Sequence, residues 1–429
     1  MKTRAVVALL LCGVVPGACR CGDVDDDAPP YPFFGEGEGE GEGEGEGEGE
    51  GEGEGEAPCT PPPLPVFVPT QGELYYRQLG LGGFALGEAA IVVGPDGSVV
   101  LVDVGNGSHD DDVFDALDDI TALTGLPART VDLIVITHFH ADHADALPQL
   151  LDALTVRDGV VFRGFVDVDT ASAGAYRSVC AALRDHPGLA QPLCTGDVLA
   201  PCDPDAFTSS YPRNACPGLG VRPLGDARMH VIAASGQIGE AAFDVDVAPF
   251  DVDDSNGENG RSVVSVFSHG AFALLVQGDL TGGGSDTDAV EPFYVDHLDD
   301  VIDLPAGVDV LHAGHHGRDT SSSRAWAERL LPGDGHARNV VMGISTAHVG
   351  SPHASVLDEL SPRLSGGRVY ATEVAAGGAS ADVVDARGGD VIVVTVDGGR
   401  AYAIAAVDKG GAVVDAQSFC SRSHVPPSD

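Results

Sequence analysis

THFHADHADA, residues Thr137 to Ala146, follows the apolar run TVDLIVI (Thr130–Ile136) without a break. A short continuous apolar run of this kind reads as a buried strand. A loop leaving such a strand aims its side chains from a rigid arc at one common space. This loop carries His138, His140, Asp142 and His143. Imidazole nitrogen and carboxylate oxygen are ligands suited to zinc and, in carboxylate-rich sites, to manganese or iron. A lone surface His-x-His means little, but an H-x-H-x-D-H run directly behind a buried strand is a strong metal signal.

Two later strands end the same way. LVQGDL delivers Asp279, and VLHAGHHG delivers His315 and His316. A carboxylate between two cations can bridge them, and a metal pair can activate one water while clamping the attacking and leaving oxygens. Two divalent ions, zinc or manganese, are therefore the expected cofactors. Asp142 is placed both to ligate and to hold a proton during the reaction.

THFHADH resembles the H-x-H-x-D-H signature of the metallo-β-lactamase fold superfamily, LVDVG its earlier strand-end aspartate (Asp103), and QGDL its bridging aspartate. NGRSVV (Asn259–Val264), HHGRDTSSS and GISTAHVGSPHASVLDEL are similar to the β-lactamase-like domain of the ComEC/Rec2 competence proteins. The resemblance spans roughly residues 73–405 and implies an α/β chain folded as an αββα four-layer sandwich, with a dimetal site at one edge of its sheets. It gives Asp103 a supporting role behind the metal loop, and makes Asn259, Arg261, Ser321, Ser322 and His353 candidates for contacting substrate or orienting ligands.

The chain departs from the family pattern twice. A further histidine ligand between the first motif and Asp279 is absent, since MHVIAASGQ offers only His230, inside its strand. The family's G-H-P-H reads Gly350-Ser351-Pro352-His353. The first metal site is then three-coordinate from protein, weak, or completed by a group outside these motifs. Read from the residues alone, Arg261 either clamps an anion or pairs with a carboxylate, and His353 either contacts substrate or packs its loop. His230 is expected to fill its strand and His269 to be solvated in a hairpin turn, with His312, His336 and His348 in ordinary roles.

Around these motifs the pattern is that of alternating strands and helices. AAIVVGPDGSVVLVDVG (Ala89–Gly105) is a hairpin around Pro-Asp-Gly, and DDDVFDALDDITALTG has helical spacing ended by Gly125. SVVSVFSHGAFALLVQGDL (Ser262–Leu280) is a second hairpin, turning at His269-Gly270. RNVVMGIS, HASVLDEL, GRVYAT, DVIVVTVDG and RAYAIAAV complete the series as strand, helix and three strands. Residues 155–228 read as a loop-rich insertion carrying four cysteines.

The first 72 residues are expected to lie outside the fold. Residues 1–18 read as a secretory signal, with Lys2 and Arg4 ahead of AVVALLLCGVV. VVPGAC is similar to a bacterial lipobox with Cys19 as the acylated residue; a plain cleaved signal is the alternative. Residues 19–72 form a tether that includes eleven Gly-Glu repeats (Gly35–Glu56), a composition that buries nothing and repels itself. The hydrolase domain is assigned to 73–429.

The formal net charge is −43, of which −31 falls behind Glu56, and lysine occurs only at Lys2 and Lys409. No basic cluster supplies the phosphate-neutralising footprint of a nucleic-acid binder. Six of the nine cysteines fall in the folded region, none as a CxxC pair. In an exported chain that suggests three disulfides: Cys180, Cys194, Cys202 and Cys216 among themselves, leaving Cys59 with Cys420.

The functional expectation is an exported hydrolase, lipid-anchored or secreted, in which a metal-activated water attacks phosphorus in a small or short phosphoester; long nucleic acid is disfavoured. A lactonase or β-lactam-type amidohydrolase needs the same metals and a different pocket. A non-catalytic surface metal-binding module remains the alternative from another class.

Overall fold

A computed structural model of the chain describes residues 59–82, 85–164, 173–194, 216–242, 257–284 and 287–421. The signal, Cys19, the Gly-Glu repeats and Cys202 lie outside these residues. Every element below belongs to the compact unit Ala57–Asp429.

The first half runs β1 (Tyr75–Gln78), β2 (Ala90–Val93), β3 (Val99–Val102), α1 (Asp110–Thr124), β4 (Thr130–Ile136), α2 (Ala141–Ala144), α3 (Leu147–Ala153), β5 (Thr155–Phe162), α4 (Ala173–Asp185) and β6 (Ala190–Pro192). The second half opens with β7 (Gly220–Leu224), β8 (Ala227–Ala234), β9 (Gln237–Ile238), β10 (Ala241–Ala242), β11 (Val264–His269) and β12 (Phe272–Val276). It continues through α5 (Val290–His297), β13 (Val310–His312), α6 (Arg324–Leu330), β14 (Asn339–Met342), α7 (Ala354–Leu360), β15 (Val369–Ala371) and β16 (Val383–Asp385). The chain then returns to the first sheet with β17 (Asp390–Val396), β18 (Ala401–Val407) and β19 (Val413–Cys420).

Among the described residues the first sheet has the order β19-β18-β17-β1-β2-β3-β4-β5-β6 and the second β10-β9-β8-β11-β12-β13-β14-β15-β16, with β7 paired to β8. Side chains alternate across each strand, and the buried residues sort into three cores accordingly. Ile91, Leu101 and Ile134 face Val113, Leu117 and Ile120 of α1 and Leu150 of α3. Val92, Val100 and Val135, on the opposite face, meet Met229, Phe267 and Leu274 of the second sheet. Val266, Leu275 and Leu311 then pack on Tyr294, Trp326 and Leu357 of α5, α6 and α7. Three cores separate four layers, which is the αββα sandwich expected from the sequence.

β3, β4, β5 and β6 pair in parallel, as do β12 through β16. Parallel strands present their carboxyl ends together, where open α/β sheets place their sites. The THFHADH loop follows β4, the Gly-Asp follows β12, and the His-His-Gly follows β13.

Both hairpins form as read, with Ala90 opposite Val102 and His269 opposite Phe272. Residues 155–228 depart from the loop-rich reading. β5 and β6 extend the first sheet in parallel, and Tyr176, Val179, Cys180 and Leu183 bury the inner face of α4. Their spacing is helical, but the surrounding Pro, Gly and Cys hide it. The polar stretch after His-His-Gly also holds a helix, α6, which Ser323 caps by accepting the Trp326 N–H. His269 is buried, with Nδ1 2.9 Å from Thr395 Oγ1, rather than solvated. Its turn lies under Gly398 and Gly399, brought over from the β17–β18 connection.

Disulfides join Cys59 to Cys420 and Cys194 to Cys216, and Cys180 is also disulfide-bonded. Such bonds persist in oxidising compartments. No helix among the described residues is long and apolar enough to cross a membrane.

Candidate metal centre

Asp103 sits at the end of β3 in the left-handed region (φ 55°) and is almost fully buried. Its Oδ1 accepts the Thr137 N–H at 2.8 Å. Its Oδ2 accepts the Thr137 hydroxyl at 2.7 Å and faces His143 Nδ1 at 2.8 Å. Because the Thr137 hydroxyl proton is committed to Asp103, Thr137 Oγ1 can only accept from His138 Nδ1, 3.0 Å away. One carboxylate thus places the protons of two imidazoles on Nδ1, leaving both Nε2 lone pairs to converge.

β12 and β13 bring Asp279 and His316 to the same point. His316 Nδ1 donates to Gly343 O at 2.8 Å, so its Nε2 also presents a lone pair. That Nε2 lies 3.4 Å from His143 Nε2, 3.3 Å from Asp142 Oδ2 and 3.6 Å from Asp279 Oδ2, while His143 Nε2 lies 3.3 Å from Asp279 Oδ1. Lone pairs facing each other across such gaps repel unless a cation lies between them. With metal–nitrogen bonds of about 2.0–2.1 Å, a tetrahedral ion spaces its ligand atoms about 3.3 Å apart. His143, Asp279 and His316 therefore fit one divalent metal, with Glu88 in the same group of candidate ligands, and Asp142 Oδ2 meets this cluster at His316 Nε2.

His138, His140 and Asp279 form a neighbouring group whose ligand atoms lie within 4.8 Å of one another. His138 Nε2 is buried without a hydrogen-bond partner, 3.7 Å from Asp279 Oδ2. Among the described residues this group offers three ligand atoms, and Asp279 is common to both groups. His315 borders it, with Nε2 3.8 Å from Asp279 Oδ2 and 3.3 Å from Asn259 Nδ2.

The electrostatics express the same demand for positive charge. Burial alone would lower the pKa of His143, but the Asp279 and Asp103 carboxylates outweigh it and raise it well above the ordinary value. Burial likewise opposes protonation of His316, yet Asp279, Asp142 and Glu88 push it up to about 10. A proton and a metal ion compete for these lone pairs. Burial raises Asp279 and Asp142, but the surrounding imidazoles hold both well below the usual carboxylate range, in the form that ligates.

Two residues of the centre were not singled out from the sequence. Glu88, buried just before β2, lies 2.9 Å from His316 Nδ1 and 2.7 Å from His312 Nε2, so His312 is part of the support for the centre. Its signal was a lone acid inside LGEAAIVV. His348, in the loop after β14, stacks on His316 with centroids 3.7 Å apart and interplanar angle 18°. It stands behind a buried strand, as the other site histidines do, and that position was the available cue.

The remaining candidates divide. Ser321 Oγ donates to Gly314 O at 2.6 Å, bracing the turn that carries His315 and His316. Ser322 and Ser323 give their N–H groups to buried Glu291. Asn259 and Arg261 are buried in a short helical turn. His353 lies on the exposed N-terminal end of α7, its Nδ1 2.8 Å from Ser355 Oγ. Glu258 accepts the Phe139 N–H at 2.9 Å and pairs with buried Arg163, whose guanidinium stacks on the Phe139 ring, so this ion pair pins the backbone between His138 and His140.

Residues 84–161, which carry Asp103 and the whole H-x-H-x-D-H run, match the family model described as the metallo-beta-lactamase superfamily. Over these residues the chain is similar to the metallo-β-lactamase superfamily. Among curated proteins, Endoribonuclease ysh-1 of Neurospora crassa is 31% identical over 105 residues, which is 24% of this chain and 11% of that protein. The chain thus spans about a tenth of that relative's length. Among solved structures, MEM-A1, a subclass B3 metallo-β-lactamase from a soil metagenome library, is 16% identical, covering 58% of this chain and 81% of its own at a TM-score of 0.28. Metallo-β-lactamase SMB-1 bound to 2-mercaptoethanesulfonate is 14% identical, covering 58% and 79% at a TM-score of 0.29.

Proposed function

We propose that this chain is an exported metal-dependent hydrolase that cleaves small or short phosphodiesters. The observation that carries hydrolysis is the pair of ligand groups sharing Asp279, with the lone pairs of His143 and His316 converging at 3.4 Å. A divalent metal pair bound there supplies Lewis acidity and a water acidic enough to ionise near neutral pH. The choice of phosphorus over a carbonyl carbon is supported by the local match to an endoribonuclease and by the competence-type motifs around Asn259 and His316.

His138, His140, His143 and His316 would hold the ions as neutral imidazoles, with Asp279 between them. Asp142, ionised, ligates and can accept a proton from the attacking water. Asn259 faces His315 Nε2 with Nδ2 and has its buried Oδ1 unpartnered, an acceptor for a hydroxyl of the substrate or for water. The charge of −31 behind Glu56 repels long polyanions. Within ångströms of a divalent pair, however, carboxylates beyond a screening length of about 8–10 Å count for little. Short phosphodiesters are favoured over duplexes for that reason. Export follows from the leader-like first 18 residues and agrees with the disulfides, and acylation at Cys19 would add a membrane anchor.

The test is turnover by metal-loaded protein of bis-(p-nitrophenyl) phosphate, a duplex DNA and a cephalosporin. Slow hydrolysis of the first, lost with chelator and with His140→Ala, is expected, with little cutting of DNA and hardly any of the cephalosporin. Ready cleavage of a cephalosporin or lactone with every phosphodiester intact would replace this reading by the amidohydrolase one. Stoichiometric metal with no turnover of any of them would leave a surface metal-binding module.

A further inference from the structure

The turn after β14 fixes the protonation of a histidine that is not in the metal-loop motif. His348 N–H donates to Ser345 O at 3.0 Å, and Ser345 N–H donates back to His348 Nδ1 at 2.8 Å. A backbone N–H cannot accept, so Nδ1 must present its lone pair, and the neutral ring carries its proton on Nε2. That Nε2 is buried, has no hydrogen-bond partner and lies 3.8 Å from Asp142 Oδ2.

His348 Nε2 is near enough to Asp142 and His316 to pass for a ligand of the same ion. Ligation needs a lone pair on Nε2, which would move the proton to Nδ1 and set it against the Ser345 N–H. Two donors would then face each other at 2.8 Å. The turn therefore makes His348 a donor. A buried donor without a partner is destabilising, and the nearest carboxylate to receive it belongs to a metal ligand.

We propose that His348 is a positioning residue whose Nε2–H donates to Asp142 Oδ2, the oxygen that also faces His316 Nε2, and so holds the carboxylate in the orientation in which it meets the metal. The role rests on the metal-centre reading. The present separation exceeds a hydrogen bond by somewhat under about 1 Å, and rotation of the short Asp142 carboxylate closes it. Ligating carboxylates held in this way keep one orientation, and losing such a partner commonly weakens metal binding about 10–100-fold.

The experiment uses full-length protein with 15N-labelled histidine, read by long-range 1H–15N correlation with and without zinc, together with zinc titrations of wild type, His348→Gln and His348→Leu. Nδ1 of His348 should resonate as an unprotonated nitrogen and Nε2 as a protonated one in both spectra. His348→Gln, whose amide can still donate, should bind both ions within about threefold of wild type, whereas His348→Leu should bind the ion at Asp142 and His316 about 10–100-fold less tightly but still fill at excess zinc. An unprotonated Nε2 in the zinc-loaded spectrum, or outright loss of one ion in both variants, would make His348 a ligand and overturn the proposal. Wild-type affinity in His348→Leu would overturn it as well. A wild-type protein that takes up no zinc would remove the metal-centre reading itself, a result separate from any of these.

Discussion

Asp103→Asn replaces one oxygen of the carboxylate by an amide nitrogen and leaves its volume nearly unchanged. In the native site, Oδ1 accepts one proton and Oδ2 faces two donors, one of them the Thr137 hydroxyl that in turn orients His138. An asparagine has two possible orientations here, and both fail. If its oxygen takes the Oδ2 place, its amide nitrogen meets the Thr137 N–H, donor against donor. If its oxygen takes the Oδ1 place, its amide donates to His143 Nδ1 and Thr137 Oγ1. The protons of His143 and His138 are then driven onto Nε2, the ligating atoms. Losing the orienting partner of a ligand costs about 10–100-fold in metal affinity, or about 1.4–2.7 kcal/mol. Because His138 and His143 belong to different ligand groups, both ions should weaken. Thr137→Val cuts only the His138 branch and should weaken one ion, with Thr137→Ser close to wild type. Competition titration against a chromogenic chelator measures this. Two ions bound by Asp103→Asn within threefold of wild type would refute the tautomer argument.

Other variants probe the remaining links. Asp279→Ala should lose both ions and His138→Ala one, as read by metal analysis after desalting. Removing the Cys59–Cys420 bond, which closes a 361-residue separation, should lower stability by about 2–5 kcal/mol, measured by urea unfolding of Cys59→Ser/Cys420→Ser. Glu291 gives a pH signature, since burial pushes its carboxyl up to about 7 against the N–H bonds from Ser323 and Ser322. A carboxyl whose folded pKa is raised binds its proton more tightly when folded. Its contribution is full below the unfolded value near 4.5 and is lost as pH rises through about 7. Between pH 5 and 8, wild type should therefore lose on the order of 3 kcal/mol more unfolding free energy than Glu291→Gln, and equal losses would contradict the assignment.

Much of this centre could be read from the chain because its ligands follow strands, and a strand is a local pattern. TVDLIVIT, LLVQGDL and DVLHAGHHG each pair an apolar run with ligand chemistry within a few residues. Period and composition alone therefore placed His138, His140, Asp142, His143, Asp279 and His316 at strand ends, and the same alternation of strands and helices implied the layered sandwich. Helix α4 and strands β5 and β6 escaped because glycine, proline and cysteine around them mimic loop composition, while their burial depends on partners far along the chain.

What tertiary structure decided is where protons sit and which chemically similar residues meet. His315 and His316 are adjacent and indistinguishable in sequence, yet only His316 faces His143 and Asp142. His312 and His348 read as ordinary until the fold set them against Glu88 and Asp142. His269 lost its solvent to a turn from the other sheet. A sequence names the donors and acceptors, but a histidine's tautomer is set by the partner of its other nitrogen. Those partners, Asp103, Thr137, Gly343 and Ser345, lie 1 to 40 residues from the rings they fix. Asp103 and Gly343 come from other elements than the rings they fix, so only the packed structure can bring them together.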